Sequence, residues 1–282
     1  MNRSPFETVG TQGEQVMELS KFKALNDVDS VNAYISALEA FDGIAELQEL
    51  KELARTRGGV AEGKSILDVG CGFGLETRRL AEAAGAKGKV HGLDKSADFI
   101  KEAQRRAESA GQSIDYQTGD ATALPYGDNS FDCVRAERIL IYLSKVSAAL
   151  SEMRRVLKPS GKIALIEPDF STNTINISDR ALTRRVLDHE IKTAVENSFL
   201  PGSLKVALER LGFANIKISS RALIFPQELA ASYFSSLAVN ALEAGKISTS
   251  ENEVWQTELD DLKAQDAIFA TISYFLFTAD AP

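Results

Sequence analysis

The chain is poor in the residues that define several large classes of protein. It has only two cysteines in 282 residues, Cys71 and Cys133, so we expect two buried free thiols and a reducing, cytoplasmic location. The 32 Lys and Arg are outnumbered by 40 Asp and Glu, for a net charge of −8, which argues against a nucleic-acid partner because phosphates require a basic face. No apolar run reaches the roughly 18 residues of a membrane span, and the polar N-terminus lacks the apolar core of a signal peptide.

The hydrophobic pattern between residues 64 and 168 is regular. Short apolar runs alternate there with amphipathic segments, which predicts βαβ units and an α/β fold with a mostly parallel sheet that helices cover on both faces. The predicted strands are Ser65–Val69, Lys89–Leu93, Ser113–Thr118, Phe131–Arg135 and Lys162–Glu167. The predicted helices are Leu75–Ala84, Ser96–Ala110 and Lys145–Leu157, and Ser96 is placed as an N-cap of the second.

Both flanks depart from this alternation. Residues 1–62 carry apolar residues at helical spacing and are predicted to form an N-terminal helical cap, with the main domain at 63–282. Helical insertions are predicted at about 169–200 and 227–266, the second with capping-box spacing from Ser248 to Glu251. Strands are expected at Ile216–Phe225 and Ile268–Phe277. No linker interrupts the pattern, so one domain with helical insertions is favoured over two domains.

A glycine-rich turn follows the first predicted strand. Gly70, Gly72 and Gly74 occupy alternate positions and lead into a helix, which is the arrangement of a nucleotide-binding corner, where bare backbone amides face the ligand. The dinucleotide fingerprint would place Gly or Ala at position 75, where this chain has Leu75, and the Gly-Lys-Ser/Thr of a phosphate loop is missing. The loop is therefore predicted to admit a close ligand without forming a pyrophosphate cradle.

Two carboxylates follow the next two strands. Asp94 ends the second strand, where an acid can accept hydrogen bonds from both hydroxyls of a ribose, although an acid before a helix also suits the helix dipole. Asp120, after the third strand, can accept from the exocyclic amine of adenine, or serve only in a turn.

The order of these motifs resembles that of class I S-adenosylmethionine-dependent methyltransferases, and of the ubiquinone/menaquinone-type branch that acts on small molecules. The resemblance is carried by "LDVGCGFG", "GLD", "GDATALPYGDNSFDCV" and "VLKPSGKIALIEPD", and more weakly by "LKVALERLGFANIKI". It implies a Rossmann-like sheet of seven strands with the last antiparallel, the segment Ile268–Phe277 being that strand. The N-terminal segment and the insertions would form a lid over the substrate.

The resemblance also assigns cofactor contacts for S-adenosyl-L-methionine. The Gly70–Gly74 loop would pass under its methionine and ribose, and Asp68 would hold its amino group. Asp94 would take the ribose hydroxyls, and Lys95 would lie against the adenine. Asp120 and the backbone of Ala121 would recognise the adenine edge, while the segment from Arg135 through Glu137 to Arg138 would cover the methionine moiety.

Candidates for a catalytic base are few. His91 lies inside a predicted strand and is expected to be structural. His189 falls in the first insertion, where a lid would be. Tyr142 stands where many relatives have a histidine and could orient the substrate. Asp169 follows the fifth strand beside Glu167 and is the preferred acid/base or orienting group, although each of these residues could equally lie at a pocket rim or on a solvated face.

The acceptor class is narrowed by what the fourth-strand segment lacks. It reads "RAER" in place of the Asn/Asp-Pro-Pro-Tyr/Phe motif of enzymes that methylate planar amines, which favours a small organic acceptor. No metal is predicted, since Asp169 alone could belong to a carboxylate cluster. Two alternatives stay open: a protein that keeps the cofactor pocket without methylating, and a nicotinamide-dependent oxidoreductase.

Overall fold

The computed structural model of the protein describes residues 35–36 and 38–282. The first part of the predicted N-terminal helical cap lies outside the described residues. In the described part, residues 38–42 are helical, and eight longer helices follow: α1 (Ala45–Arg57), α2 (Leu75–Ala84), α3 (Ala97–Ser109), α4 (Val146–Val156), α5 (Arg180–Thr193), α6 (Pro201–Arg210), α7 (Gln227–Glu243) and α8 (Thr249–Ala264). A single 3₁₀ turn spans Leu140–Tyr142.

Seven strands form one sheet in the order β3-β2-β1-β4-β5-β7-β6. They are β1 (Ser65–Val69), β2 (Lys89–Asp94), β3 (Asp115–Thr118), β4 (Phe131–Glu137), β5 (Leu157–Ile175), β6 (Ala214–Ile224) and β7 (Ala270–Asp280). Only β7 runs antiparallel to its neighbours β5 and β6. The predicted Rossmann-like sheet of seven strands, with the last antiparallel, is therefore confirmed. The strand order reverses between β1 and β4, which is where such sheets bind ligands.

The ends of several helices follow from local sequence. The hydroxyl of Ser96 accepts a hydrogen bond from the Phe99 amide at 3.3 Å and so caps α3. At the start of α8, the Ser248 hydroxyl accepts from the Glu251 amide at 3.2 Å, while the Glu251 carboxylate accepts from the Ser248 amide at 2.7 Å. Both predicted caps are formed, because each depends on residues only three positions apart.

The sequence pattern misplaces the end of the fifth strand. Residues 169–175 were expected in a helical insertion, but β5 continues to Ile175 and α5 begins only at Arg180. The extra length is stabilised by β7, which pairs with Asp169 and, after an irregularity, with Thr174 and Ile175. The second insertion consists of two helices, as the capping-box spacing inside it indicates, and they are separated at Gly245, whose φ is +66°.

The inserted helices share the main hydrophobic core. Side chains of α1, α5, α7 and α8 pack against β5 and β7 in one cluster on one side of the sheet, while α4 and α6 cover the other side. Trp255 of α8 is fully buried, and its indole N–H donates to the backbone oxygen of Phe234 at 3.1 Å. Among the helices that the structure describes, none combines the length and apolarity needed to cross a membrane. The division into cap and main domain, and the lid, remain predictions.

Candidate functional site

A cavity of about 450 Å³ opens at the carboxyl ends of β1, β2 and β4. One end is lined by the glycine loop after β1 and by the residues that follow β2 and β3. The other end is lined by aromatic and aliphatic side chains from the N-terminal helical residues, β7 and α7. The cavity therefore has a polar end at the switch point of the sheet and a largely apolar end under the inserted helices.

All three glycines of the loop have a positive φ, which favours glycine, and two of them also lie against other protein atoms. A Cβ at Gly70 would lie 2.0 Å from Cγ2 of Ile139, and one at Gly74 would lie 2.3 Å from the hydroxyl of Tyr116. A Cβ at Gly72 would meet no protein atom within 4 Å, and Gly72 lines the cavity. The predicted close approach of a ligand is thus supported at Gly72, while Gly70 and Gly74 are needed for the packing of the loop.

Asp94 joins this loop to the cavity wall. One carboxylate oxygen accepts from the Gly72 amide at 2.9 Å and the other from the Ser96 amide at 2.8 Å. The side chain is buried, and this burial raises the pKa of Asp94 against the opposing effect of the backbone donors. Each carboxylate oxygen has a second lone pair, so the group can accept from a ligand while it holds the loop. Lys95 also lines the cavity.

Asp120 and Ala121 lie at the same end of the cavity, after β3. An oxygen of Asp120 accepts from the backbone amide and from the hydroxyl of Thr122, each at 2.8 Å. These donors lower the pKa of Asp120. The carboxylate is therefore a fixed acceptor at the rim.

A buried ion-pair network lies beside the loop and includes three of the predicted cofactor residues, Asp68, Arg135 and Glu137. Arg135 donates to Asp68 at 2.9 Å and to Glu137 at 2.5 Å, and Lys51 lies 3.1 Å from Glu137. Burial opposes ionisation of Glu137, but Lys51, Arg135 and Arg138 lower its pKa to about 2. Arg135 and Glu137 line the cavity.

Asp68 does not lie on the cavity wall, unlike the other predicted carboxylates at this end. Its oxygens accept from the hydroxyl of Thr77 at 2.6 Å and from Arg135, and the residue is 1% exposed. The geometry makes Asp68 a partner that holds Arg135, and gives no direct path from its carboxylate to a ligand.

The structure brings only one of the three predicted catalytic residues to the cavity. Tyr142 lines it from the 3₁₀ turn. Asp169 is absent from the wall and its oxygen accepts from the amide and hydroxyl of Ser171, at 3.0 and 2.6 Å. His189 is also absent from the wall; partial burial, Lys246 and Lys192 lower its pKa. Asp169 is kept off the wall because β5 continues past it, and His189 because of its position around the axis of α5.

Sequence reasoning missed the residue next to His189. Glu190 lines the cavity and is 4% exposed, and Tyr233 of α7 donates a hydrogen bond to its carboxylate. Asn173 of β5 donates to the other carboxylate oxygen at 2.7 Å. A signal was present: Leu182, Val186 and Glu190 are spaced by four residues, which places a carboxylate on the buried stripe of α5.

Aromatic rings surround this end of the cavity. Phe225 and Tyr233 are stacked, with ring centroids 5.4 Å apart and planes inclined by 12°. Phe41 packs against Tyr274 at 5.6 Å, and the guanidinium of Arg138 lies 5.1 Å from the centre of the Phe41 ring. The lining of this end is therefore mainly aromatic and aliphatic, which suits contact with apolar groups.

The comparisons with known proteins agree on one family. Residues 66–161 match the family described as methyltransferase domain. An uncharacterized 37.1 kDa protein of transposon TN4556 from Streptomyces fradiae is 33% identical over 78% of this chain and 63% of its own length. A demethylmenaquinone methyltransferase of Staphylococcus aureus is 32% identical over 57% of this chain and 73% of its own.

Among solved structures, a phosphoethanolamine N-methyltransferase 2 of Haemonchus contortus, in complex with S-adenosyl-L-methionine, has the same fold. Its TM-score is 0.60, with 18% identity over 95% of this chain and 61% of that one. The chain spans 63% of the Streptomyces relative and about half (46%) of other demethylmenaquinone methyltransferases that it matches. The sheet order, the cavity at the switch point and these matches lead to one conclusion: the chain belongs to the class I S-adenosylmethionine-dependent methyltransferases, in the branch that includes the demethylmenaquinone methyltransferases.

Proposed function

We propose that the protein transfers a methyl group from S-adenosyl-L-methionine to a small organic acceptor held at the apolar end of the cavity. One observation carries the proposal: Gly72 leaves the wall open to a ligand where the buried carboxylate of Asp94 accepts from its amide. When bound, the cofactor supplies an electrophilic methyl group on a sulfonium. The chain's residues bind and align the two molecules and exclude water.

The residues at the polar end fit this cofactor. Asp94 would accept from the ribose hydroxyls, with Gly72 allowing the close approach that a side chain would prevent. Asp120, Ala121 and Lys95 would contact the adenine. Arg135 and Glu137, both on the wall and both in ion pairs, would face the methionine moiety. Asp68 would act through Arg135.

The acceptor would lie between the aromatic side chains and Tyr142. The cavity is lined mainly by apolar atoms at this end, and a family branch that includes quinone methyltransferases supports a small, apolar acceptor. Tyr142, at the junction of the two ends, would orient it by its ring or hydroxyl. Asp169 and His189 lie off the wall, so no role in the chemistry is proposed for them.

Calorimetry with S-adenosyl-L-methionine and S-adenosylhomocysteine tests cofactor binding. Asp94→Asn keeps the shape of the side chain but removes its charge and one acceptor. We expect it to weaken binding by about 1–3 kcal/mol, or roughly 5–150-fold. Asp98→Asn, an exposed acid in the first turn of α3, is the matched control and should bind normally. Equal affinity in Asp94→Asn would refute the ribose assignment.

Turnover is tested with labelled S-adenosyl-L-methionine and an extract of small metabolites. Release of S-adenosylhomocysteine together with a labelled product supports the proposal. Binding of the cofactor without any labelled product would favour a protein that retains the pocket for another purpose. Failure of the wild-type protein to bind the cofactor, together with binding of a nicotinamide dinucleotide, would favour an oxidoreductase.

A further inference from the structure

Three side chains from separate parts of the chain form a buried polar cluster at the acceptor end of the cavity. Glu190 of α5 accepts from the hydroxyl of Tyr233 and from the amide of Asn173. Asn173 also donates to the Tyr233 hydroxyl at 3.1 Å. All three residues are less than 8% exposed, and Glu190 and Tyr233 line the cavity. The carboxylate is thus held in one orientation by two neutral donors.

In the part of the chain that the structure describes, Glu190 has no cation beside it, unlike three of the other buried acids of the cavity, and unlike Asp94 it accepts no hydrogen bond from a backbone amide of the glycine loop. Asp42 is paired with Lys51 and Arg79, Glu76 with Arg55, and Glu137 with Arg135 and Lys51. Across residues 38–282, no Lys, Arg or His lies within ion-pair distance of Glu190. An isolated buried carboxylate is costly, and apolar side chains of similar volume would join α5 to α7 at least as well. A purely structural role therefore explains the cluster poorly.

The pKa of the Glu190 carboxyl allows it to bind and release a proton near pH 7. Burial raises the pKa of Glu190 to about 7, although hydrogen bonds from Tyr233 and Asn173 oppose the rise. The hydroxyl that contacts it belongs to Tyr233, whose pKa burial raises, as burial raises that of Tyr274 on the same cavity wall. His189, beside it on α5, and the lysines near that histidine do not line the cavity. Glu190, on the cavity wall, can therefore take up a proton near pH 7.

We propose that Glu190 is the catalytic base of the methyl transfer, positioned by Tyr233 and Asn173, and that the acceptor atom carries a proton that it must lose, as the hydroxyl of a flat apolar molecule does. The inference rests on the proposed function and deepens it. The stacked rings of Phe225 and Tyr233 form the wall against which a flat ring lies.

The acceptor, the methyl donor and Glu190 together account for every proton and electron pair in the step. The O–H bond of the acceptor breaks, and its proton goes to a carboxylate oxygen of Glu190. The electron pair left on the oxygen forms the bond to the methyl carbon, and the pair of the carbon–sulfur bond stays on sulfur. The carboxylic acid then returns its proton to water when the site opens. No metal, oxidant or reductant is required.

The first test is independent of turnover. The full chain, labelled with ¹³C at the glutamate carboxyls and saturated with S-adenosylhomocysteine, is titrated by NMR. We expect one resonance with a midpoint near pH 7 that is missing in Glu190→Gln. In Tyr233→Phe its midpoint should rise, since the Tyr233 hydroxyl stabilises the ionised form. Asp188→Asn, an exposed substitution on the same helix, should leave it unchanged. A Glu190 resonance with an ordinary midpoint near 4.5 would overturn the proposal.

The second test uses phenol, 1-naphthol and 8-hydroxyquinoline as hydroxyl probes and N,N-dimethylaniline as a flat acceptor without a proton to lose. With a hydroxyl probe, kcat/KM should fall below the midpoint seen by NMR. Glu190→Gln should lower kcat by about 10²–10⁴-fold and abolish this acid limb, with cofactor affinity kept. In Tyr233→Phe the acid limb of the kcat/KM profile should remain, but its midpoint should shift as it does in the NMR titration.

The outcomes separate this inference from the proposed function. If the wild-type protein does not bind the cofactor, both the proposed function and this inference are wrong. Cofactor binding with methylation of N,N-dimethylaniline alone, or of none of the probes, would overturn the hydroxyl acceptor but leave the cofactor site intact. Turnover of a hydroxyl probe by Glu190→Gln within about threefold of the wild-type rate would show that another group, or water, takes the proton.

Discussion

Replacement of Glu167 should make the stability of the protein less dependent on pH. Glu167 ends the central part of β5 and is fully buried. One oxygen accepts from the amides of Ile139 and Leu140, at 3.2 and 2.9 Å, and thereby holds the turn after β4. Within the part of the chain that the structure describes, its other oxygen has no hydrogen-bond partner. Burial raises the pKa of Glu167 from 4.5 to about 8, with Glu137 adding to the rise.

The magnitude follows from linkage between proton binding and folding. Between pH 4.5 and about 8 the folded state holds a proton on Glu167 that the unfolded state has released, so the free energy of unfolding falls as the pH rises. The stabilising contribution is complete below the unfolded pKa and is lost as the pH rises through the folded pKa. Each pH unit is worth about 1.4 kcal/mol, so a shift of this size amounts to about 5 kcal/mol over the interval.

The assay is urea unfolding of wild type and Glu167→Gln at pH 5.0 and 8.5. The amide keeps an acceptor for the two backbone donors and cannot ionise. Any constant cost of the substitution cancels when the two pH values are compared. We expect Glu167→Gln to gain about 3–5 kcal/mol relative to wild type on going from pH 5.0 to 8.5. Glu253→Gln, an exposed substitution on α8, should gain nothing. An equal pH dependence in wild type and Glu167→Gln would show that this carboxyl ionises normally in the folded protein.

Three further predictions concern the loop, the ion-pair network and the lid. Gly70→Ala should lower the free energy of unfolding by about 1–3 kcal/mol, because its methyl would lie 2.0 Å from Ile139 at a φ of +73°. Gly72→Val has open space for its side chain but is strained by the φ of +54°; it should abolish cofactor binding, which calorimetry would detect. Lys51→Met removes one of the two cations that each of the buried carboxylates Asp42 and Glu137 has and should cost about 3–5 kcal/mol in urea unfolding, whereas the exposed Lys87→Met should cost little; equal stabilities would contradict the network. If residues 227–266 form a lid, their amide exchange should slow when cofactor and acceptor bind, and identical exchange would argue for a fixed wall.

Much of the fold could be predicted because it depends on patterns that are local in sequence. The alternation of apolar runs and helical segments marks each βαβ unit, and a parallel sheet buried on both faces follows from it. Ser96 and the Ser248–Glu251 pair could be identified as caps since each acts within one helical turn. The length of β5 could not, because its last residues stay in the sheet only through pairing with β7, about 100 positions further along the chain.

The cofactor end of the site was predictable for the same reason. Gly72 and Asp94 occupy fixed places after successive strands, and the carboxyl ends of parallel strands meet at one edge. The sequence could not separate Gly72, which faces the cavity, from Gly70 and Gly74, whose neighbours Ile139 and Tyr116 come from other strands and turns.

The acceptor end was decided by tertiary structure alone. The four-residue spacing of Leu182, Val186 and Glu190 favours a buried position for this carboxylate, but it does not show what the side chain would meet. Its partners Asn173 and Tyr233 are 17 and 43 residues away, on a strand and on a different helix. Only the packing of α5 and α7 over β5 brings them together at the cavity, because side-chain contacts between elements depend on how whole faces pack and not on spacing within one element.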